Sequence, residues 1–400
     1  MRSKLLLIPL MLVLMVSFVF ADSTTFNSTW RTTSSSESIT LPLVSSGTYN
    51  FEVDWGDGNT SIVTTYDSTN RTHTYANPGY YNVTINGTIE GWSFLSVSTS
   101  RSKLYDIYQW GNFKFHGGTD NRYFYRATNM YISATDAPDM SSVTDMRFMF
   151  GQCLGLDDSN LSHWNTSTVT NMESIFNNPF GASDFRGDIS GWDTSSATKM
   201  NNMFYYNTDF NGDISGWNTS SVTDMSKMFQ RTSVFNVDIS NWDVSSVNNM
   251  NAMFNLAQGF NQDLDQWNTS SVTDMSEMFY QAFDFNGNIS TWDTSLVTDM
   301  NRMFFNAQDF NQPLNDWNVG NVQDMSEMFR SAYSFNQDLD QWDTSSVTDM
   351  STMFGTDGTG ISFNGNISTW DVSSVQNFGS MFDRTTQFNQ PLNDWDVSSV

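Results

Sequence analysis

A tryptophan returns at a fixed interval over most of this chain, and no other feature restricts its fold as much. Tryptophans stand at positions 164, 192, 217, 242, 267, 292, 317, 342, 370 and 395; seven of the nine spacings are 25 residues and two are 28. One unit runs Trp267-Asn268-Thr269-Ser270-Ser271-Val272-Thr273-Asp274-Met275-Ser276-Glu277-Met278-Phe279, continues to Phe285-Asn286, and restarts at Trp292. Both longer spacings carry their three extra residues at the same place, between Phe176 and Phe185 and between Phe354 and Phe363. Insertions confined to one locus mark a loop on one side of a solenoid.

A unit of 25 residues cannot bury its own apolar side chains, so the units must stack. Stacking places Trp217, Trp242, Trp267, Trp292, Trp317 and Trp342 in one column. Met228, Met278, Met303 and Met328 form a second column, and Phe229, Phe279, Phe304 and Phe329 a third. Within the unit, Met275, Met278, Phe279 and Ala282 follow the i, i+3, i+4, i+7 spacing of one helical face. That spacing predicts a helix of about two turns in every coil. Val272-Thr273-Asp274-Met275 reads as an extended segment before it, and Phe260, Leu264 and Trp267 lie in another. The expected architecture is a repeat solenoid over residues 136–400, with short parallel strands and short helices, rising about 4.8 Å per coil. Residues 100–135 read as a degenerate first repeat or cap, with Lys103–Trp110 as its strand. The chain stops in mid-phrase at Asp396-Val397-Ser398-Ser399-Val400, so truncation of a longer solenoid is expected.

The phrase W-D-x-S-x-V-x-x-M-x-x-M-F-x-x-A-x-x-F-N runs from Trp217 to Phe235, from Trp292 to Phe310 and from Trp342 to Phe354. The lead-in Ala134–Met146 follows it too. These units resemble the BspA-type leucine-rich-repeat surface proteins. The resemblance implies a leucine-rich-repeat-like solenoid at a cell surface and adhesion to host or partner macromolecules.

Residues 22–99 have a different rhythm. Ser38–Leu43, Tyr49–Trp55, Ile62–Tyr66, Thr72–Tyr75 and Tyr80–Ile85 read as short strands separated by turn residues such as Gly56-Asp57-Gly58-Asn59. Tyr49, Phe51, Val53 and Trp55 alternate with Asn50, Glu52 and Asp54, the pattern of a half-buried strand. A small β-sandwich follows. Val53-Asp54-Trp55-Gly56-Asp57-Gly58, His73-Thr74-Tyr75 and Pro78–Ile85 resemble a PKD-type Ig-like domain. The resemblance implies that Asp54 and Asp57 shape a hairpin turn and that His73 is a packed strand residue.

Arg2 and Lys4, the apolar run Leu5–Phe20 and the small Ala21 have the layout of a secretory signal peptide over residues 1–21. An uncleaved N-terminal anchor is the alternative. Secretion places the protein outside the cell or on its surface, with membrane association only through an anchor this sequence does not contain. The formal net charge is −26, and −28 without Arg2 and Lys4. A surface that acidic repels phosphate backbones and argues against nucleic acid as a partner. The lone cysteine, Cys153, excludes a disulfide within the chain; it takes the place of Ala282 in the unit and reads as a small buried filler.

The constellations of catalysis are missing. His73, His116 and His163 have no metal-ligand spacing, and no nucleophile elbow, phosphate loop or zincin motif is present. Asp224, Asp274, Asp299, Asp324 and Asp349 recur with the coil, whereas a catalytic pair is a local exception. No enzyme activity and no cofactor are expected. The residues that follow the tryptophans are Asp193, Asn218, Asp243, Asn268, Asp293, Asn318, Asp343, Asp371 and Asp396. They read as turn caps, with Ca²⁺ held between acidic columns as an alternative. Asn27, Asn59, Asn70, Asn82, Asn86, Asn160, Asn165, Asn218, Asn268, Asn288 and Asn366 are candidate glycan acceptors. The expected role is adhesion or recognition of protein or glycan ligands at a cell surface or matrix. Lys227, Glu277, Arg302, Glu327 and Thr352, which vary from coil to coil, are the candidate ligand face. A structural envelope or spacer role, or a targeting module for an enzyme beyond residue 400, are the alternatives.

Overall fold

A computed structural model describes residues 23–95, 97–118, 122–179, 185–356, 358 and 360–400; the signal-peptide reading of residues 1–21 lies outside them. The N-terminal region is all β. Its strands are β1 Phe26–Thr32, β2 Glu37–Thr40, β3 Thr48–Asp54, β4 Thr60–Val63, β5 Thr72–Tyr75 and β6 Gly79–Glu90. β7 Leu104–Gln109 and β8 Tyr131–Ile132 follow. One sheet has the order β4-β3-β6-β1-β7-β8, and β2 pairs with β5 in a second. In β3 the side chains of Tyr49, Phe51 and Val53 are buried and those of the intervening residues exposed. Gly56 and Gly58 turn the β3–β4 hairpin with φ of 76° and 90°. There the Asp54 and Asp57 carboxylates accept the N–H groups of Gly56 and Asn59, so both aspartates hold the turn. His73 stacks on Trp55 at 5.2 Å and bonds to Asp57 at 2.8 Å.

The spacing of turn residues does not announce β1. It lies between β6 and β7, antiparallel to both, so even its polar Asn27 and Ser28 are buried. Ser28 Oγ accepts the Trp30 indole N–H at 3.0 Å. Because β7 and β8, from residues 100–135, complete the sheet of β4, β3, β6 and β1, the N-terminal region and the first coils share a sheet and one continuous apolar core.

The array holds a correction. Among the described residues there is no α-helix; the helical segments are two single turns of 3₁₀ at Thr69–Arg71 and Arg101–Lys103. The expected helix after each Val-Thr-Asp-Met phrase is a run of overlapping turns. Its backbone N–H groups are all accounted for in the coil of Met275–Ala282. Those of Met275, Glu277, Phe279 and Gln281 donate to carbonyls of the next coil, at Asp299, Asn301, Met303 and Phe305. Those of Met278, Tyr280 and Ala282 close turns onto Met275, Glu277 and Phe279. The remaining one, of Ser276, donates to the Asp274 carboxylate. Alternate amides must point along the stack, which a helix forbids. Glu277 and Gln281 therefore adopt left-handed φ of 56° and 53°, and the equivalent residues recur in this conformation from Arg126 to Arg384. The burial period survives: Met275, Met278, Phe279 and Ala282 are all fully buried.

The expected parallel strands shrink to single bridges. Lys199, Asp224, Asn249, Asp274, Asp299, Asp324 and Asp349 pair in succession, each coil with the next. Aromatic columns supply the core. Six pairs of tryptophans from adjacent coils, between Trp192 and Trp395, lie 6.0–6.4 Å apart with planes within 6° of parallel. The phenylalanines from Phe176 to Phe354 repeat at 5.5–5.7 Å. Phe176–Phe185 and Phe354–Phe363 stay stacked at 3.9 Å despite the residues inserted between them.

Side chains bind the coils as well. Asn211, Asn236, Asn261, Asn286, Asn311 and Asn336 form a ladder in which each side-chain carbonyl accepts the backbone N–H of the asparagine in the next coil, at 2.7–3.0 Å. Each indole N–H from Trp192 to Trp370 reaches an Ile or Leu carbonyl of the preceding coil. The expected caps form too: the side chains of Asp193, Asn218, Asp243, Asn268, Asp293, Asn318, Asp343, Asp371 and Asp396 accept the N–H two residues on.

Candidate binding face

The run of turns presents two kinds of position. Its methionines and the phenylalanine that follows the second methionine are buried, and most of its left-handed residues reach the surface. Lys227, Glu277, Arg302, Glu327 and Thr352 all occupy the first left-handed position, with φ of 55–57°, and all are half-buried. Three of them join into one line. Arg302 lies 3.8 Å from Glu277 and 2.7 Å from Glu327, and Arg330 lies 2.5 Å from Glu327. The hydrogen bond to Glu327 raises the Arg302 pKa. Burial alone pushes the Glu327 carboxyl up, but hydrogen bonds from Arg302 and Arg330 outweigh it and hold the group below its usual value. Lys227 and Thr352 stand apart from this line.

The next surface columns carry aromatics that variability alone did not single out. Tyr280 and Phe305 stack at 4.6 Å, and the Arg330 guanidinium lies over Phe305 at 5.4 Å. Tyr205 and Tyr206 meet at 4.6 Å, and Arg231 covers Tyr206 at 4.4 Å. In the cap, Arg122 and Arg126 flank Tyr125 at 5.6 Å and 5.1 Å. A signal was available: tyrosine, phenylalanine and arginine recur at positions that the burial period places outside.

Charge segregates onto the same run. Residues 136–400 contain eight basic side chains, and six of them, Arg147, Lys227, Arg231, Arg302, Arg330 and Arg384, lie on the turns. Among the described residues four acidic side chains share those turns, and the charged residues elsewhere in the array are overwhelmingly acidic. Half-exposed aromatics mixed with arginine are the composition that dominates interface energetics.

The acidic columns have a structural use. Asp224, Asp274, Asp299, Asp324 and Asp349 each accept the N–H two residues on. Burial, followed by the charges of Asp274, Asp324 and Glu277, raises the Asp299 pKa. Among the described residues no three His, Cys, Asp or Glu side chains are placed to hold a metal ion, and no helix is long and apolar enough to cross a membrane. Cys153 Sγ donates to the Phe124 carbonyl at 2.9 Å, and burial pushes its thiol pKa up to about 12. Asn27 is a correction: it is buried, with its amide donating to Thr25 and Gln109, and leaves the set of candidate glycan acceptors.

A family model described as "Mycoplasma protein of unknown function, DUF285" matches residues 120–222, 177–290, 258–360 and 358–400 in tandem. Comparison with curated proteins and with solved structures finds no match.

Proposed function

We propose that this chain, which belongs to the DUF285 family of tandem repeats, is a secreted or cell-surface recognition protein. It binds protein or glycan partners through the outer face of its turns and carries no catalytic centre. The supporting observation is the concentration of arginine, tyrosine and phenylalanine on that face of an otherwise acidic array. The likeness of the coils to BspA-type leucine-rich repeats and of the N-terminal sheets to a PKD-type domain fits a surface location. The acidity of the remainder disfavours nucleic acid. Secretion follows from the layout of residues 1–21.

The test is binding of the secreted chain to panels of matrix proteins and glycans at physiological salt. At least one specific partner is expected, with affinity falling about tenfold or more in Tyr280→Ala and Phe305→Ala at unchanged melting temperature. Absence of any partner, or indifference to both substitutions, contradicts the reading.

A further inference from the structure

A shallow depression of about 210 Å³ opens on the turn face, lined by Tyr206, Thr208, Arg231, Ser233, Leu256 and Gln258. It is smaller than the roughly 300–1,000 Å³ sites that take drug-sized ligands, so its scale suits a single sugar ring. Its chemistry is mixed in a defined way. The Arg231 guanidinium lies over the Tyr206 ring, 4.4 Å from its centre. Arg302 and Arg330 are met by Glu327, whereas no carboxylate lies within ion-pair distance of Arg231 among the described residues. Asp209, the acidic neighbour of Thr208, faces Arg186 at 3.6 Å. The backbone beneath is fixed, since the N–H groups of Tyr206 and Arg231 donate to Gln230 at 2.9 Å and Asn255 at 2.8 Å. Around the guanidinium stand two hydroxyls, one primary amide, an aromatic ring and a leucine.

A ligand that answers all of these needs one anionic group for Arg231, hydroxyls for Ser233, Thr208 and Gln258, and a C–H face for Leu256. We propose that this depression binds a carboxylated pyranose, a uronic or sialic acid unit of a glycan, with Arg231, supported on the Tyr206 ring, taking the carboxylate and Leu256 packing the ring face. A guanidinium matches a carboxylate in a planar, two-bond geometry. The proposal deepens the recognition reading and rests on it.

Saturation-transfer NMR on the secreted chain tests it, with methyl glucuronide, the methyl glycoside of N-acetylneuraminic acid, and methyl glucoside as probes. Transfer to one or both acids and not to methyl glucoside is expected. Arg231→Gln and Tyr206→Ala should each weaken it about tenfold or more, while Arg31→Gln, exposed on strand β1, leaves it unchanged. All variants should melt with the parent. Transfer to methyl glucoside equal to that of the acids, full transfer in Arg231→Gln, or none with either acid overturns the site. A chain that binds a matrix protein but neither acid sinks this site and leaves the recognition reading standing; one that binds nothing sinks both.

Discussion

The N-terminal sheets and the repeat array fill their cores with the same residues in opposite geometries. In the first region most rings meet edge-on or tilted: Phe26 and Trp92 cross at 60°, and Tyr49 and Phe51 at 82°, with the His73–Trp55 and Tyr75–Tyr81 stacks as exceptions. In the array, successive tryptophans and phenylalanines lie nearly parallel. Edge contacts suit the ring quadrupole and form where each side chain has its own surroundings. A side chain repeated by translation has no such freedom and must stack parallel on its own copy. The switch falls at the cap, where Phe124 is already within 4° of Phe150 while Trp110 still meets Trp164 edge-on. Long-range pairing holds the first region together, as in the seven-residue register of β1 with β6. Each array coil is held only by its neighbours.

Core deletions should separate the two regions most. Trp292→Ala should cost about 3–5 kcal/mol, with faster hydrogen exchange confined to the coils beside it. Trp30→Ala should cost about as much but release β1, β6 and β7 together. Exchange that spreads along the whole array in the first variant would erase the contrast. Next in size is the asparagine ladder: Asn286→Ala removes the acceptor for Asn311 and Gln312 and should cost about 0.5–1.5 kcal/mol in denaturant melts. The exposed Asn50 of β3 should tolerate alanine within about 0.5 kcal/mol.

The left-handed positions invite stabilisation. Thr352 is β-branched at φ 55°, a conformation disfavoured by about 1–2 kcal/mol. Thr352→Gly should therefore raise stability by roughly 0.5–1 kcal/mol after the entropy of glycine is deducted. A loss of stability would mean the turn conformation is wrong.

The smallest effects are electrostatic and of opposite sign in the two regions. In the N-terminal region, the Thr33 N–H leads the contacts that lower the Glu37 pKa to about 2, with Lys103 adding to it. Its stabilisation is present above the unfolded value near about 4.3 and is lost as pH falls towards 2. Glu37→Gln should thus cost under about 1 kcal/mol at neutral pH and nothing at the acid end. Asp299 has a raised pKa, so its contribution is present below about pH 4 and lost as pH rises through the folded value. Asp299→Asn keeps the acceptor for Asn301, as Asn249 does for Asn251. It should stabilise by up to about 1 kcal/mol at neutral pH, a gain that fades on acidification. Urea melts across that pH range read both signs.

Much of this was legible from residue order. The tryptophan interval names the stacking columns, and the Asp or Asn after each tryptophan caps its turn. Two features were hidden for physical reasons. The spacing Met275, Met278, Phe279, Ala282 is shared by a helical face and by turns that reverse hand every fourth residue, so burial periodicity cannot separate them. Strand β1 escaped because a strand central to its sheet hides polar side chains such as Asn27 and Ser28, which removes the alternation. At the face, coil-to-coil variation points to Glu277, Arg302 and Glu327, but the Tyr206–Arg231 and Tyr280–Phe305 pairs exist only once successive coils are stacked.

Residue-resolved backbone dihedrals across Met275–Ala282, from chemical shifts and scalar couplings in selectively labelled protein, bear most directly on how the coils are joined. Positive φ at Glu277 and Gln281, with slow exchange of the Met275, Glu277, Phe279 and Gln281 amides that reach the next coil, is the expected result. Helical φ at all eight residues would contradict it, because a helix would turn those amides inward and leave the stack without its hydrogen bonds.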